Sequence, residues 1–157
     1  MGEARASISQ IPDLLDQLDW LTAELEAQRP FLARLPDVQI KTSPLPGVPS
    51  LLDMYREMVV RERDVHFPAL NLQDSDVHAA MLSTDAGLDE MIVQLVAMRS
   101  TIVDRLSALT QEEWVGKPMG PSPYADVITL AFEITQSDGD SLRAIAERMR
   151  EGQTALG

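Results

Sequence analysis

Apolar residues in this chain recur at three- and four-residue steps in four separate stretches, and that spacing leaves few folds open to it. In the first stretch Ile11, Leu14, Leu15, Leu18, Leu21, Leu25, Leu32 and Leu35 line one side of a long helix. Pro12 suits the first turn. Pro30 removes a backbone donor and crowds the preceding turn, so a bend or break is expected near Gln28. "PDVQIKTSPLPGVPS", Pro36 to Ser50, holds four of the ten prolines and reads as a loop, with Ser50 placed to cap the next helix. The second helix is expected from about Leu51 to Phe67, with Leu51, Leu52, Tyr55, Met58, Val59, Glu62, Val65 and His66 on one face and Pro68 as its end. The weakly patterned "NLQDSDVHAAMLSTDAG" leads to a third helix over Leu88 to Leu109. Its stripe is Leu88, Met91, Ile92, Leu95, Arg99, Ile102, Leu106 and Leu109. After the loop "TQEEWVGKPMGPSPY" a fourth helix starts near Ala125 and frays by Gly152. Four amphipathic helices with almost no strand pattern can bury their apolar sides only against one another. The expectation is an all-α four-helix bundle, one domain over residues 1–157 with its core at about 11–150.

A chain of 157 residues can bury roughly 70% of the surface its unfolded form exposes, enough for one such core. Its 25 acidic and 13 basic residues give a net charge of −12, which repels nucleic acid and anionic membranes. The acidic excess itself reads most simply as solubility. No apolar run approaches the about 18 residues needed to cross a bilayer, and "MGEARASISQ" lacks the apolar centre of a signal peptide. A cytoplasmic location is therefore expected. The absence of cysteine removes disulfides, thiolate ligands and a cysteine nucleophile. The sequence has no G-x-S-x-G turn and no glycine-rich phosphate loop. Met54, Met58, Met81, Met91, Met98, Met119 and Met149 read as core filler, and Trp20 and Trp114 as packing residues, Trp114 anchoring the loop after the third helix.

Polar side chains interrupt the inner faces. At about 100° per residue, Glu62 falls near the centre of the second helix's apolar face, Arg99 near that of the third and Asp138 near that of the fourth, with Ser141 beside Asp138. Unpaired, each would cost several kcal/mol to bury, so they find partners, reach water or line a cavity. Two readings are open: an ion-pair network with Arg99 between Glu62 and Asp138, or a small-molecule pocket between helices. A metal site in a bundle core takes histidines and carboxylates from facing helices, and this chain has two histidines. His78 lies in a loop-like segment. His66, four residues after Glu62, reads as a partly exposed helix-terminal histidine.

From Ile11 to Arg150 the helix order, the ending "RLSALTQEEW" of the third helix and "TLAFEITQSDGDSLRAI" on the fourth resemble the DinB-like family, which includes thiol-dependent transferases. That resemblance implies a bundle of up-down-down-up topology, a divalent metal held by three histidines in many members, and a homodimer. The family's last-helix pattern, T-L-x-x-x-x-x-x-H-x-x-x-H-L-x-x-I, places Ser137 and Ser141 where the two histidines stand. The third ligand position falls on Glu62 by helical phase, or on Glu57 by the local pattern "YREMVVRE", and Glu62 is favoured because it faces inward. One carboxylate and two hydroxyls make a poor site for zinc or nickel. The resemblance thus implies a bundle without a metal, without a catalytic residue or other cofactor, in which Arg99 supplies the positive charge. Such a protein is expected to bind a small molecule or protein partner through a polar cleft formed by Glu62, His66, Arg99, Asp138 and Ser141, or through a dimer face. The other reading is a metal- and thiol-dependent S-transferase of the same group.

Overall fold

The structure, a computed structural model, describes residues 8–72 and 87–156. It is all-α, with no strand among the described residues. A 3-10 turn, Ile8–Gln10, leads into α1, Ile11–Leu32; a short helix α2, Asp37–Lys41, comes next. The second long stretch is composite: α3, Leu51–Arg61, a π turn over Glu62–His66, and α4, Phe67–Ala69. Then come α5, Leu88–Ser107, the short α6, Gln111–Val115, and α7, Val127–Leu156.

The apolar stripes read from the sequence meet in one core. Leu14, Leu18, Leu21 and Leu25 of α1, Tyr55, Met58 and Val59 of α3, Ile92, Leu95 and Ile102 of α5, and Leu130, Ile134 and Ile145 of α7 are all buried in it. α1 packs against α5 and α7, and α3 packs against the same two helices. Polar ties hold the ends: Arg29 near the end of α1 pairs with Asp89 in the first turn of α5 at 2.7 Å, and Arg148 of α7 donates to the Pro49 carbonyl at 2.5 Å, just before α3. No described helix is long and apolar enough to cross a membrane.

Helix starts obey the expected chemistry. Ser50 caps α3 in a reciprocal box: its hydroxyl accepts from the Asp53 N–H at 3.1 Å while the Asp53 carboxylate accepts from the Ser50 N–H. Asp126 accepts from the Thr129 N–H at 2.8 Å at the head of α7.

The ends differ from expectation. Pro30 does not break α1, because it lies in the last turn, where the helix stops two residues later and only one donor is missing. Leu35 therefore lies beyond the helix, half-buried. Asp37–Lys41 forms a turn of helix inside the proline-rich loop, and Thr110 caps another, Gln111–Val115, by a second box with Glu113. Pro68 does not end the second stretch. The helix runs to Ala69 and stops at Asn71, whose φ of 59° is the left-handed conformation that closes a helix. Asn71 and Leu72 donate back to the carbonyls of Pro68 and Phe67 at 3.0 and 2.8 Å. The end of α7 does not fray at Gly152 but continues to Leu156.

Met58, Met91 and Met98 are buried, Met54 and Met149 are half-buried, and Met119 is exposed; Met81 and His78 lie outside the described residues. Trp114 is buried, as expected of a packing residue. Trp20 is not a packing residue: it stands 61% exposed on the outer side of α1.

Candidate functional site

The π turn at Glu62–His66 has a local cause. Pro68 carries no N–H for the Asp64 carbonyl, and its ring would crowd that carbonyl in a regular helix. Widening by one residue relieves the crowding, and the Phe67 N–H bonds to the Glu62 carbonyl instead. The wide turn directs both Glu62 and His66 into the core, where they are 1% and 2% exposed. The expectation of a partly exposed His66 is thus corrected, since the helix continues past it and α5 packs against the π turn.

From α5, Arg99 reaches the same point with no exposed surface at all. Its Nε donates to Glu62 Oε2 at 2.9 Å, its Nη2 to Asp138 Oδ1 at 3.0 Å, and its Nη1 to Asp138 Oδ2. Asp138, on α7, is 2% exposed. Three helices are therefore joined at one guanidinium, with the forked side of Arg99 on Asp138 and its Nε on Glu62. The remaining Glu62 oxygen, Oε1, faces His66 Nδ1. Because a carboxylate oxygen only accepts, that imidazole nitrogen is the donor. Burial pushes the Glu62 carboxyl up, but the charges of Arg99 and His66 and their hydrogen bonds outweigh it and hold the group at about 2. For Arg99 burial acts against the charge, and the two carboxylates outweigh it and raise the guanidinium above its ordinary value.

Of the five residues expected at a polar cleft, Glu62, His66, Arg99 and Asp138 come together, in a closed cluster. Ser141 is half-buried and makes no hydrogen bond to it. Ser137, also half-buried, turns its hydroxyl to the Ile134 carbonyl of its own helix at 3.4 Å. Glu57 is exposed and pairs with Arg61, so Glu62 is the glutamate of that helix that faces inward. Among the described residues no three His, Asp or Glu side chains gather as a metal-binding group.

Two features gave no warning in the sequence. The Tyr55 hydroxyl, pushed up by burial, donates to Gln28 of α1 and so ties α3 to α1. Gln28 gave no signal because it lies at the edge of its helix's apolar stripe. A shallow groove of about 360 Å³ opens beside Ile11, Leu15, Leu109 and Trp114, lined by none of the charged cluster. No protein-family model, no curated protein and no solved structure matches the chain.

Proposed function

We propose that this protein is a non-catalytic, DinB-like four-helix bundle that acts by recognising a partner, its core closed by an ion-pair cluster where related bundles hold a metal. The observation that carries this reading is Arg99, fully buried and paired on both sides by Glu62 and Asp138. The donors present do not fit a divalent metal. Glu62 and Asp138 are already engaged by a guanidinium, whose charge repels a second cation, and the Ser137 hydroxyl is turned to its own backbone. A transferase mechanism that needs such a metal has no ligand set among the described residues.

The contacts at the helix ends support the topology. Arg29 on Asp89 sets α1 antiparallel to α5, Arg148 on the Pro49 carbonyl sets α7 antiparallel to α3, and Arg105 of α5 on the Leu70 carbonyl, at 2.8 Å, sets α3 and α5 parallel. These contacts favour an up-down-down-up order of the four long stretches. A small molecule seeking the cluster would have to part Arg99 from a carboxylate, so recognition belongs to an outer face and the partner is a protein.

Elemental analysis of the untagged protein, with thermal melting in the presence of zinc, nickel and manganese, tests this reading. The expected result is less than about a tenth of an equivalent of metal and no change in melting temperature. Near one equivalent, or a rise of several degrees, as for a ligand that binds only the folded state, overturns it.

A further inference from the structure

The groove of about 360 Å³ lies where the 3-10 turn enters α1, α5 ends and α6 begins. Its floor is apolar. Trp114 is buried, Ile11, Leu15 and Leu109 are half-buried against the core, and Ile8, which also lines it, is left 41% exposed. Covering such surface is a driving force for association. Carboxylates flank the floor: Asp16 and Asp19 stand one helical turn after the lining residues Pro12 and Leu15 of α1, and Asp104 one turn before the lining residue Ser107 of α5. All three are exposed, and among the described residues none of them forms an ion pair. Residues 8–19 and 104–115, which build the groove, hold six acidic side chains and one basic. That one, Arg105, is engaged by the Leu70 carbonyl at 2.8 Å, so the negative rim is not offset from within these elements.

An apolar floor within a negative rim selects its occupant. Nucleic acid and anionic lipid are repelled, and so is a second copy of a chain of net charge −12, whose outward Arg56, Arg61 and Arg63 are already paired with Asp53, Glu57 and Asp64. Pockets that enclose a small molecule are deep enough to bury most of its surface, whereas this groove is shallow. No strand edge exists among the described residues for a partner's backbone to pair with, so side chains carry the recognition. We propose that the groove receives a basic amphipathic helix of another protein, its apolar stripe laid on Ile8, Ile11, Leu15 and Leu109 and its lysines or arginines set against Asp16, Asp19 and Asp104. This inference rests on the reading that the protein recognises a protein partner at an outer face, and names the face and the partner's chemistry. Metal uptake would sink that reading and leave helix binding standing; a metal-free protein that binds no such helix sinks the inference alone.

The probe is a leucine–lysine peptide of about 18 residues, long enough to form a helix, with its leucines at three- and four-residue steps; the control has the same composition in an order that breaks the stripe. Titration calorimetry against the full chain should give a dissociation constant of about 1 to 100 µM for the first, at least tenfold weaker binding for the control, and weaker binding as salt rises from about 0.05 to 0.3 M. Asp16→Lys, Asp19→Lys and Asp104→Lys together should weaken binding about tenfold or more, and the same reversal at Asp37, Asp140 and Glu147, away from this end of the bundle, by less than about threefold. Ser107→Trp fills the groove from an exposed position without changing a charge, and should weaken binding about tenfold while keeping the wild-type circular dichroism. No binding of the striped peptide at about 300 µM overturns the proposal. Equal binding of the control, equal loss from the remote charge reversal, or indifference to Ser107→Trp would each show attraction to net charge alone and overturn it equally.

Discussion

Arg99 shows how far a single side chain can commit three helices. A guanidinium without exposed surface is tolerable only while its charge is met, and here Asp138 takes its fork and Glu62 its Nε. Removing the cation would leave two carboxylates facing one another in the core. Arg99→Met is therefore expected to cost about 3 to 5 kcal/mol, read from urea denaturation, whereas Arg99→Met combined with Glu62→Leu and Asp138→Leu should recover most of the loss. A triple variant as unstable as the single one would show that the cost lies in shape rather than charge. The acid response stems from Glu62. Its folded-state value is depressed from 4.5 to about 2, so its contribution is complete above 4.5 and disappears as pH falls from 4.5 through about 2. That displacement corresponds to about 3 kcal/mol, and Glu62→Gln should flatten the fall in stability across that window. Glu62, Arg99 and Asp138 were legible in the sequence because a charged residue at the helical phase of an apolar stripe has to point inward. His66 shared that face by the same period, but its full burial was not legible, since Pro68 two residues on signals a helix end and the helix instead continues to Ala69.

At the scale of elements, the end of α4 explains why the loop after α6 takes the path it does. The last carbonyls of a helix lack partners within it. Here Phe67 and Pro68 receive Leu72 and Asn71 from their own chain, Ala69 receives the Gly120 N–H at 3.0 Å, and Leu70 receives Arg105. The loop thus caps a helix distant in sequence, and the approach is too close for a side chain. A Cβ at Gly120 would stand 1.9 Å from the Pro68 carbonyl oxygen, a backbone atom that cannot swing aside. Gly120→Ala is expected to destabilise by about 1 to 3 kcal/mol, more than Gly139→Ala, whose Cβ meets nothing within 4 Å; paired thermal melts decide it. The long helices and their buried faces were readable because periodicity reports which side is apolar. Helix ends were less so, because Pro30 and Pro68 act through hydrogen bonds whose replacement depends on partners elsewhere in the fold. Trp20 was misread for a related reason: an aromatic side chain signals a need for burial without saying within which molecule.

Taken as a whole, the molecule keeps two kinds of charge apart. Inside, the cluster is paired and buried; outside, the surplus that gives a net charge of −12 is spread over exposed carboxylates. These populations should answer salt differently. Repulsion among exposed charges separated by more than about 10 Å is largely screened at 0.1 M ionic strength, while contacts of about 3 Å between buried groups are hardly touched. Raising sodium chloride from about 0.01 to 0.15 M should therefore increase the melting temperature of the wild-type protein by a few degrees. The loss caused by Arg99→Met should be the same at both salt concentrations. If salt instead narrowed that loss, solvent and ions would be reaching Arg99, and the core would be an open polar cleft. Recognition would then belong to a ligand held between the helices rather than to an outer face.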